Sequence, residues 1–243
     1  MKVAIILLDY NARTDYTQRV KDVNLTNAGH PFELIIIDRK GVAAAINEGM
    51  KQAMDNGADA VVTMANDILM PEGWLKQMIG HSLFIENTGM CGIHVVEELP
   101  PTVRVSTKLE GVFAYACITV TPFGNVLIPR EAIERVGYFN TDFDPYSIND
   151  MDYAHRLRAS GFINYYIPGM KAEHIGNDTA SESEYRKMKW DALAAGSQKW
   201  GFWSGAYEVE KNYYIPYEQE KYIADMKAGQ GSTPIIEMNQ FGE

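Results

Sequence analysis

Three apolar runs near the start of the chain each stop at an acid, and that repeat constrains the fold more than any other feature. Val3 to Leu8 ends at Asp9-Tyr10-Asn11, Glu33-Leu-Ile-Ile-Ile37 ends at Asp38-Arg39-Lys40, and Ala60 to Ala65 ends at Asn66-Asp67. Such near-continuous apolar runs suit strands buried on both faces. Helical stretches separate them. A polar helix is expected over roughly 13–28. Gly41 opens another over about 42–56, whose Ala43, Ile46, Met50 and Ala53 form one apolar stripe, and Gly57 stops it. Pro71 suits the first turn of a third, over 71–80. Repeats of this kind predict a three-layer α/β fold around a mostly parallel sheet. Open α/β sheets bind ligands at the carboxyl edge of their strands. Placed there, Asp67 can hold a divalent cation against a diphosphate. Asn and Asp also end strands for purely local turn reasons, and the stretch alone leaves both readings open.

What the first turn lacks is equally informative. Asp9-Tyr10-Asn11-Ala12-Arg13 has neither the dinucleotide nor the triphosphate-loop spacing of glycines. A nicotinamide dehydrogenase and a P-loop kinase are therefore disfavoured, and a nucleotide bound here must be held by strand-end side chains. The charge balance is acidic, 32 Asp plus Glu against 22 Lys plus Arg, which disfavours a broad nucleic-acid surface. The two cysteines, Cys91 and Cys117, have no metal or disulfide-framework spacing and sit in apolar surroundings, as expected of buried thiols in a reducing compartment. The apolar start is too short for a signal peptide or a membrane span, and no 18-residue apolar run follows. A cytoplasmic protein, at most peripheral to a membrane, is expected.

Further on, strands are expected from Met90 to Val96, interrupted over 112–120, and over 124–128, the last leading into a short helix to Val136. Ser147-Ile-Asn-Asp150 has capping-box spacing with Asp in place of Glu. The helix it opens should run to about Ser160 before Gly161, with Met151, Ala154 and Leu157 inward and Asp152 paired with Arg156. Asp150 lies in the first turn, where the helix dipole favours its ionised form, and capping alone would account for it. A strand over 162–167 is expected to end at Pro168-Gly169, leaving His174 in a loop beyond it. There His174 is either a metal ligand or a surface histidine. Carboxylate and imidazole donors suit Mg²⁺ or Mn²⁺ with phosphate, and no thiolate spacing supports structural zinc. Residues 181–200 read as helical. Trp200, Trp203, Tyr207, Tyr213, Tyr214 and Tyr217 then make an aromatic-rich stretch suited to sugar stacking or to plain packing, and 229–243 is expected to fray. The division is thus 1–180 as the main domain and 181–243 as an extension packed on it.

The order of these sites resembles the inverting glycosyltransferases of family 2, with the GT-A nucleotide-diphospho-sugar transferase fold. The resemblance spans about residues 1–180. Leu8-Asp9-Tyr10-Asn11 is similar to the family's polar loop after the first strand, Asp38 to the aspartate that reads the nucleotide base, and Ala45-Ile-Asn47-Glu-Gly49 to its alanine–asparagine–glycine segment. Ala65-Asn66-Asp67 resembles the metal motif of the rhamnosyltransferase-like branch. Gly137-Tyr-Phe-Asn-Thr-Asp-Phe143, with Asn149-Asp150 and the residues to Phe162, resembles the acceptor-side signature. Two departures stand out: Asn149 replaces the usual glutamate, and the metal motif carries one carboxylate.

The resemblance implies Asp150 as general base, Asp67 and His174 as ligands of Mn²⁺ or Mg²⁺, and Asp9, Asn11, Asp38, Asn47 and Asn66 around the nucleotide-sugar donor. It implies inverting transfer to an acceptor hydroxyl, most commonly of a glycan or glycolipid. Two other classes compete. A sugar-nucleotide nucleotidyltransferase would release pyrophosphate and would normally carry the glycine-rich loop missing here. A non-catalytic carbohydrate- or partner-binding relative would show no turnover.

Overall fold

The computed structural model of the protein describes residues 1–9, 14–38, 41–95, 104–109, 112–117, 125–144, 149–175 and 235–238. The loop holding Asn11, Ser147, and the expected helix and aromatic stretch from 181 to 217 lie outside the described residues.

The first three strands form as expected: β1 (Val3–Asp9), β2 (Glu33–Asp38) and β3 (Ala60–Met64), with β1 pairing in parallel with both others. Alternation along β1 explains its unbroken apolar character. Val3, Ile5 and Leu7 enter a core with Trp74, Leu75 and Met78, while Ala4 and Ile6 enter a second core with Ile46, Met50 and Leu157. Each face of the sheet is therefore covered by helices, which makes three layers.

Helix α1 (Thr14–Val20) is shorter than expected, because Lys21–Leu25 continues it as a wider π turn. Helix α2 (Val42–Asp55) follows Gly41 and buries Ala43, Ile46, Met50 and Ala53, the expected stripe. Gly49 of this helix faces Ile6 so closely that an added Cβ would overlap the Ile6 side chain. Gly49→Ala gains about 1 kcal/mol in helix propensity. It also forces overpacking, which costs about 1–3 kcal/mol. The expected net is a loss of up to about 2 kcal/mol, read from the urea midpoint.

A two-residue strand absent from the sequence reading, β4 (Ile68–Leu69), follows Asp67. The next helix, α3 (Trp74–Phe84), begins later than expected because Gly73 is left-handed, with φ 70°, and its N–H donates to the Asn27 carbonyl at 2.7 Å. Pro71 therefore precedes the helix. Strand β5 (Thr88–Val95) carries Cys91, buried, with its thiol pushed up to about 12 by desolvation and thus unreactive at neutral pH.

Strands β6 (Arg104–Leu109) and β7 (Val112–Cys117) form an antiparallel hairpin, of which only the second arm was foreseen. Strand β8 (Val126–Pro129), helix α4 (Arg130–Val136), helix α5 (Asn149–Ala159) and strand β9 (Ile163–His174) complete the central body. Strand β10 (Ile235–Met238), inside the stretch expected to fray, pairs with β6. Among the described residues the sheet order is β10-β6-β7-β9-β5-β8-β3-β1-β2. In its central part β2, β1, β3, β5 and β9 all point one way, and β8, antiparallel to β3 and β5, is the exception. The central part of the sheet is thus largely parallel in strand direction, and β7, β6 and β10 continue it by antiparallel pairing.

Strand β9 does not stop at Pro168-Gly169. Ile167 pairs with Ile93 and Lys171 with His94, so residues 168–170 form a bulge and the strand runs on. His174 is consequently the last residue of a strand, opposite Ile68, and not a loop residue.

Candidate functional site

The carboxyl ends of the parallel strands bring the predicted acids to one edge. Asp9 and Asp38 are register partners at the ends of β1 and β2. Asp38 is exposed there. Asp9 accepts a hydrogen bond from the Thr17 hydroxyl at 2.7 Å, and Asn66 Nδ2 donates to that hydroxyl oxygen at 3.0 Å. Thr17, on α1, is thereby the joint between the end of β1 and the turn beyond β3. Sequence reading did not single it out, since a threonine inside a polar helix carries no local signal.

Asp67 and His174 meet directly. The pairing of β4 with β9 sets Ile68 opposite His174, and the Ile175 N–H donates to the Asp67 carbonyl at 2.8 Å. This register leaves His174 Nε2 3.2 Å from Asp67 Oδ2, with both side chains about a quarter exposed. A carboxylate oxygen and an imidazole nitrogen thus converge at the open end of the sheet. Among the described residues no group of three or more His, Cys, Asp or Glu side chains comes together in this way. Two protein ligands nevertheless fit Mg²⁺ or Mn²⁺ in the presence of a diphosphate, since such ions take few protein donors and complete their shells with phosphate oxygens and water.

Asp150 reaches the same rim by a different route. Helix α2 starts just beyond the carboxyl end of β2, and its first free N–H groups are capped by a distant side chain. Asp144 accepts from Ala43 N–H at 2.8 Å through Oδ1 and from Ala44 N–H at 2.9 Å through Oδ2. Asn149 Nδ2 donates to Asp144 Oδ1 at 3.2 Å, which ties the start of α5 to the start of α2. Asp150, half-buried, is the second residue of α5. The ring of Gly41, with φ 101°, and Asp144 is tight: a Cβ on Gly41 would lie 3.1 Å from Asp144 Oδ2. Asp144 is a second residue that sequence reading missed.

Asn47 has another occupation. Its amide donates to the Phe139 carbonyl and accepts from the Phe139 N–H, both at 2.8 Å. Both halves of the side chain therefore fasten α2 to the segment before α5. Phe139 in turn stacks on Tyr153, with ring centroids 4.2 Å apart. Asp152, fully buried, pairs with Arg156 at 2.9 Å, as the helix spacing predicted. Arg156 also donates to the carbonyls of Val136 and Tyr138.

No family model matches the sequence, and no curated protein matches it either. Solved structures do match. GalNAc-T7, in a crystal structure with UDP, GalNAc and Mn²⁺, aligns over 95% of this chain with a TM-score of 0.64 at 9% identity. This chain spans 58% of that one's length. The mannosyltransferase PcManGT from Pyrobaculum calidifontis, in complex with GDP-Man and Mn²⁺, aligns over 94% of this chain and 76% of its own, with a TM-score of 0.59 at 15% identity. The catalytic domain of Drosophila β1,4-galactosyltransferase 7, in complex with xylobiose, aligns over 77% of this chain and 79% of its own, with a TM-score of 0.55 at 13% identity. The chain therefore has a GT-A-like nucleotide-sugar transferase fold. These likenesses extend across GT-A folds and do not single out family 2 or its rhamnosyltransferase-like branch. Among the described residues no helix is long and apolar enough to cross a membrane.

Proposed function

We propose that this protein transfers a sugar from a nucleotide-diphospho-sugar to an acceptor hydroxyl, with a divalent cation and with inversion. The observation that carries this reading is the convergence of Asp67 and His174 at the carboxyl edge of a GT-A-like sheet, 3.2 Å apart. Asp67 and His174 would hold Mn²⁺ or Mg²⁺. When bound, the ion supplies Lewis-acid neutralisation of the departing diphosphate. Asp150, at the rim fixed by Asp144 and Asn149, takes the proton from the acceptor hydroxyl as its oxygen attacks the anomeric carbon. Attack from the face opposite the leaving group inverts that centre. Asn66, Asp38 and Asp9, the last held by Thr17, surround the nucleoside side of the donor, a role that the sequence also suggests for Asn11. Asn47, held by Phe139, supports the site by fixing α2. The three solved structures just described bind UDP, GDP-Man or xylobiose, so UDP- and GDP-sugars are the first donors to try and sugars the first acceptors.

The test is a screen of nucleotide sugars with Mn²⁺ in which the released product is identified. Nucleoside diphosphate supports the proposal. Pyrophosphate formed from a nucleoside triphosphate and a sugar phosphate would mean that the protein makes activated sugars instead. Binding without turnover of any donor and acceptor would make it a carbohydrate-binding relative.

Asp38 gives a separate handle on the nucleoside. A charged hydrogen bond to a base is worth about 1.5–3 kcal/mol. Asp38→Ala is therefore expected to weaken nucleotide binding roughly tenfold or more in the presence of a chelator. Calorimetry without metal reads this directly. Unchanged affinity there would remove Asp38 from the donor site.

A further inference from the structure

The turn that carries Asn66 and Asp67 is gripped from both sides by buried amides. On one side Asn125, 3% exposed, accepts the Ala65 N–H through Oδ1 at 2.8 Å. On the other, Asn24, fully buried, donates from Nδ2 to the Ile68 carbonyl at 2.8 Å and accepts the Met70 N–H through Oδ1 at 2.7 Å. Strand β4 thus has β9 on one edge and a single side chain on the other. Asn24 reaches it from the π turn of Lys21–Leu25, and its own carbonyl accepts the Trp74 indole N–H at 2.8 Å. Wider turns of this kind are frequent at functional sites.

Asn125 is an unfavourable choice for stability alone. Its Nδ2 is buried with no hydrogen-bond partner among the described residues, which is a destabilising arrangement. What the position retains is the other half of the amide, the half that holds Ala65. Strain accepted at one place and used at another is the pattern expected of a residue kept for geometry.

We propose that Asn24 and Asn125 are positioning residues for the cation site. They form a two-sided clamp that presets the Asn66-Asp67 turn and, through the pairing of Ile68 with His174, the histidine as well. The proposal rests on the reading of Asp67 and His174 as metal ligands. Asn164 supplies the control. It is 1% exposed, accepts the Met90 N–H and donates to the Ala154 carbonyl, both at 3.0 Å, and stands at the opposite end of β9 from His174. Like Asn24 it is buried and bonded through both the oxygen and the nitrogen of its amide, yet neither of these bonds reaches the 65–70 turn.

The experiment is calorimetric titration of Mn²⁺ into the full chain with UDP or GDP present, alongside thermal melts, for Asn24→Ala, Asn125→Ala, Asn164→Ala and Asp67→Asn. Asn24→Ala and Asn164→Ala should both lower Tm. Of the three Asn→Ala variants, only Asn24→Ala and Asn125→Ala should weaken Mn²⁺ binding, by roughly 10–100-fold, the range for residues that orient ligands. Native affinity in either of these two variants overturns the two-sided clamp. So does an equal loss in Asn164→Ala, which would mean general loosening of the fold. If Asn24→Ala does not fold, Asn24→Ser takes its place and Asn125→Ala is read beside it. A native chain that takes up no Mn²⁺ with either nucleotide present ends the metal-site reading itself, and Asp67→Asn then has no affinity to lose. That result is distinct from a clamp that fails while Asp67 still matters.

Discussion

Asp67→Asn is expected to keep the fold and to lose Mn²⁺-dependent binding of the nucleotide sugar. The fold should survive because Asp67 and His174 are both about a quarter exposed, so the change strands no charge in the interior. Binding should fail because no cluster of other acids or histidines among the described residues stands ready to replace the lost carboxylate. Unit charges 4 Å apart interact by about 4 kcal/mol at an effective dielectric of 20. Removing a full negative charge beside a dication should therefore raise the apparent metal Kd by roughly 10²-fold or more. His174→Ala should have a smaller effect, since the imidazole is a neutral donor that water can replace. Calorimetry with Mn²⁺ and the donor, against the same titration with chelator, separates the two contributions. Metal dependence unchanged in Asp67→Asn would place the cation elsewhere, and the carboxyl edge of β3 would lose its claim to the chemistry.

Whether a residue's role could be read from sequence depended on the distance over which it acts. The alternation along β1, the stripe of Ala43, Ile46, Met50 and Ala53, and the Asp152–Arg156 pair all follow from helix or strand periods, which act over a few residues. The carboxyl-edge acids were legible because an apolar run that ends in Asp states both the strand and its exit. Other features depend on contacts between distant parts of the chain. Asn24 bonds to Ile68 and Met70, and Asp144 bonds to Ala43 and Ala44, about a hundred residues away. A short polar side chain that reaches a distant backbone group is written in sequence like one that makes a local turn. Asn47 shows the converse: it sits in a segment that resembles a donor-binding motif, and its amide nitrogen and oxygen also bond the distant Phe139. Pro168-Gly169 reads in sequence as the end of a strand because those residues usually punctuate one. Here β5 pairs on both sides of the bulge, so the ladder resumes and carries His174 to Ile68.

Asp150→Asn and Asp152→Asn should divide cleanly between chemistry and stability. Residues two apart in a helix point to different faces, and the structure assigns one of those faces firmly. The Asp152 side chain is fully buried and pairs with Arg156, itself 23% exposed, whose guanidinium also binds the carbonyls of Val136 and Tyr138 and lies over the Tyr153 ring. Asp152→Asn retains an oxygen acceptor but loses the charge, and the cost of a weakened charged hydrogen bond is about 1.5–3 kcal/mol. That loss should appear as a lower urea midpoint, with transfer preserved at temperatures where the variant is folded. Asp150, on the first turn at the rim, is half-buried and not enclosed. As general base it would lose the capacity to accept a proton on conversion to Asn, while the amide could still serve any capping role. Asp150→Asn is accordingly expected to fold and bind donor nearly as the native protein does, with acceptor transfer reduced by roughly 10²-fold or more. The comparison requires saturating donor and equal concentrations of folded protein. Full activity in Asp150→Asn would leave only the capping role. Loss of transfer in fully folded Asp152→Asn, with Asp150→Asn active, would move the base to the buried face. It would then have to act from beneath Arg156, where no acceptor hydroxyl could approach without breaking the contacts that hold α5 to residues 136–139.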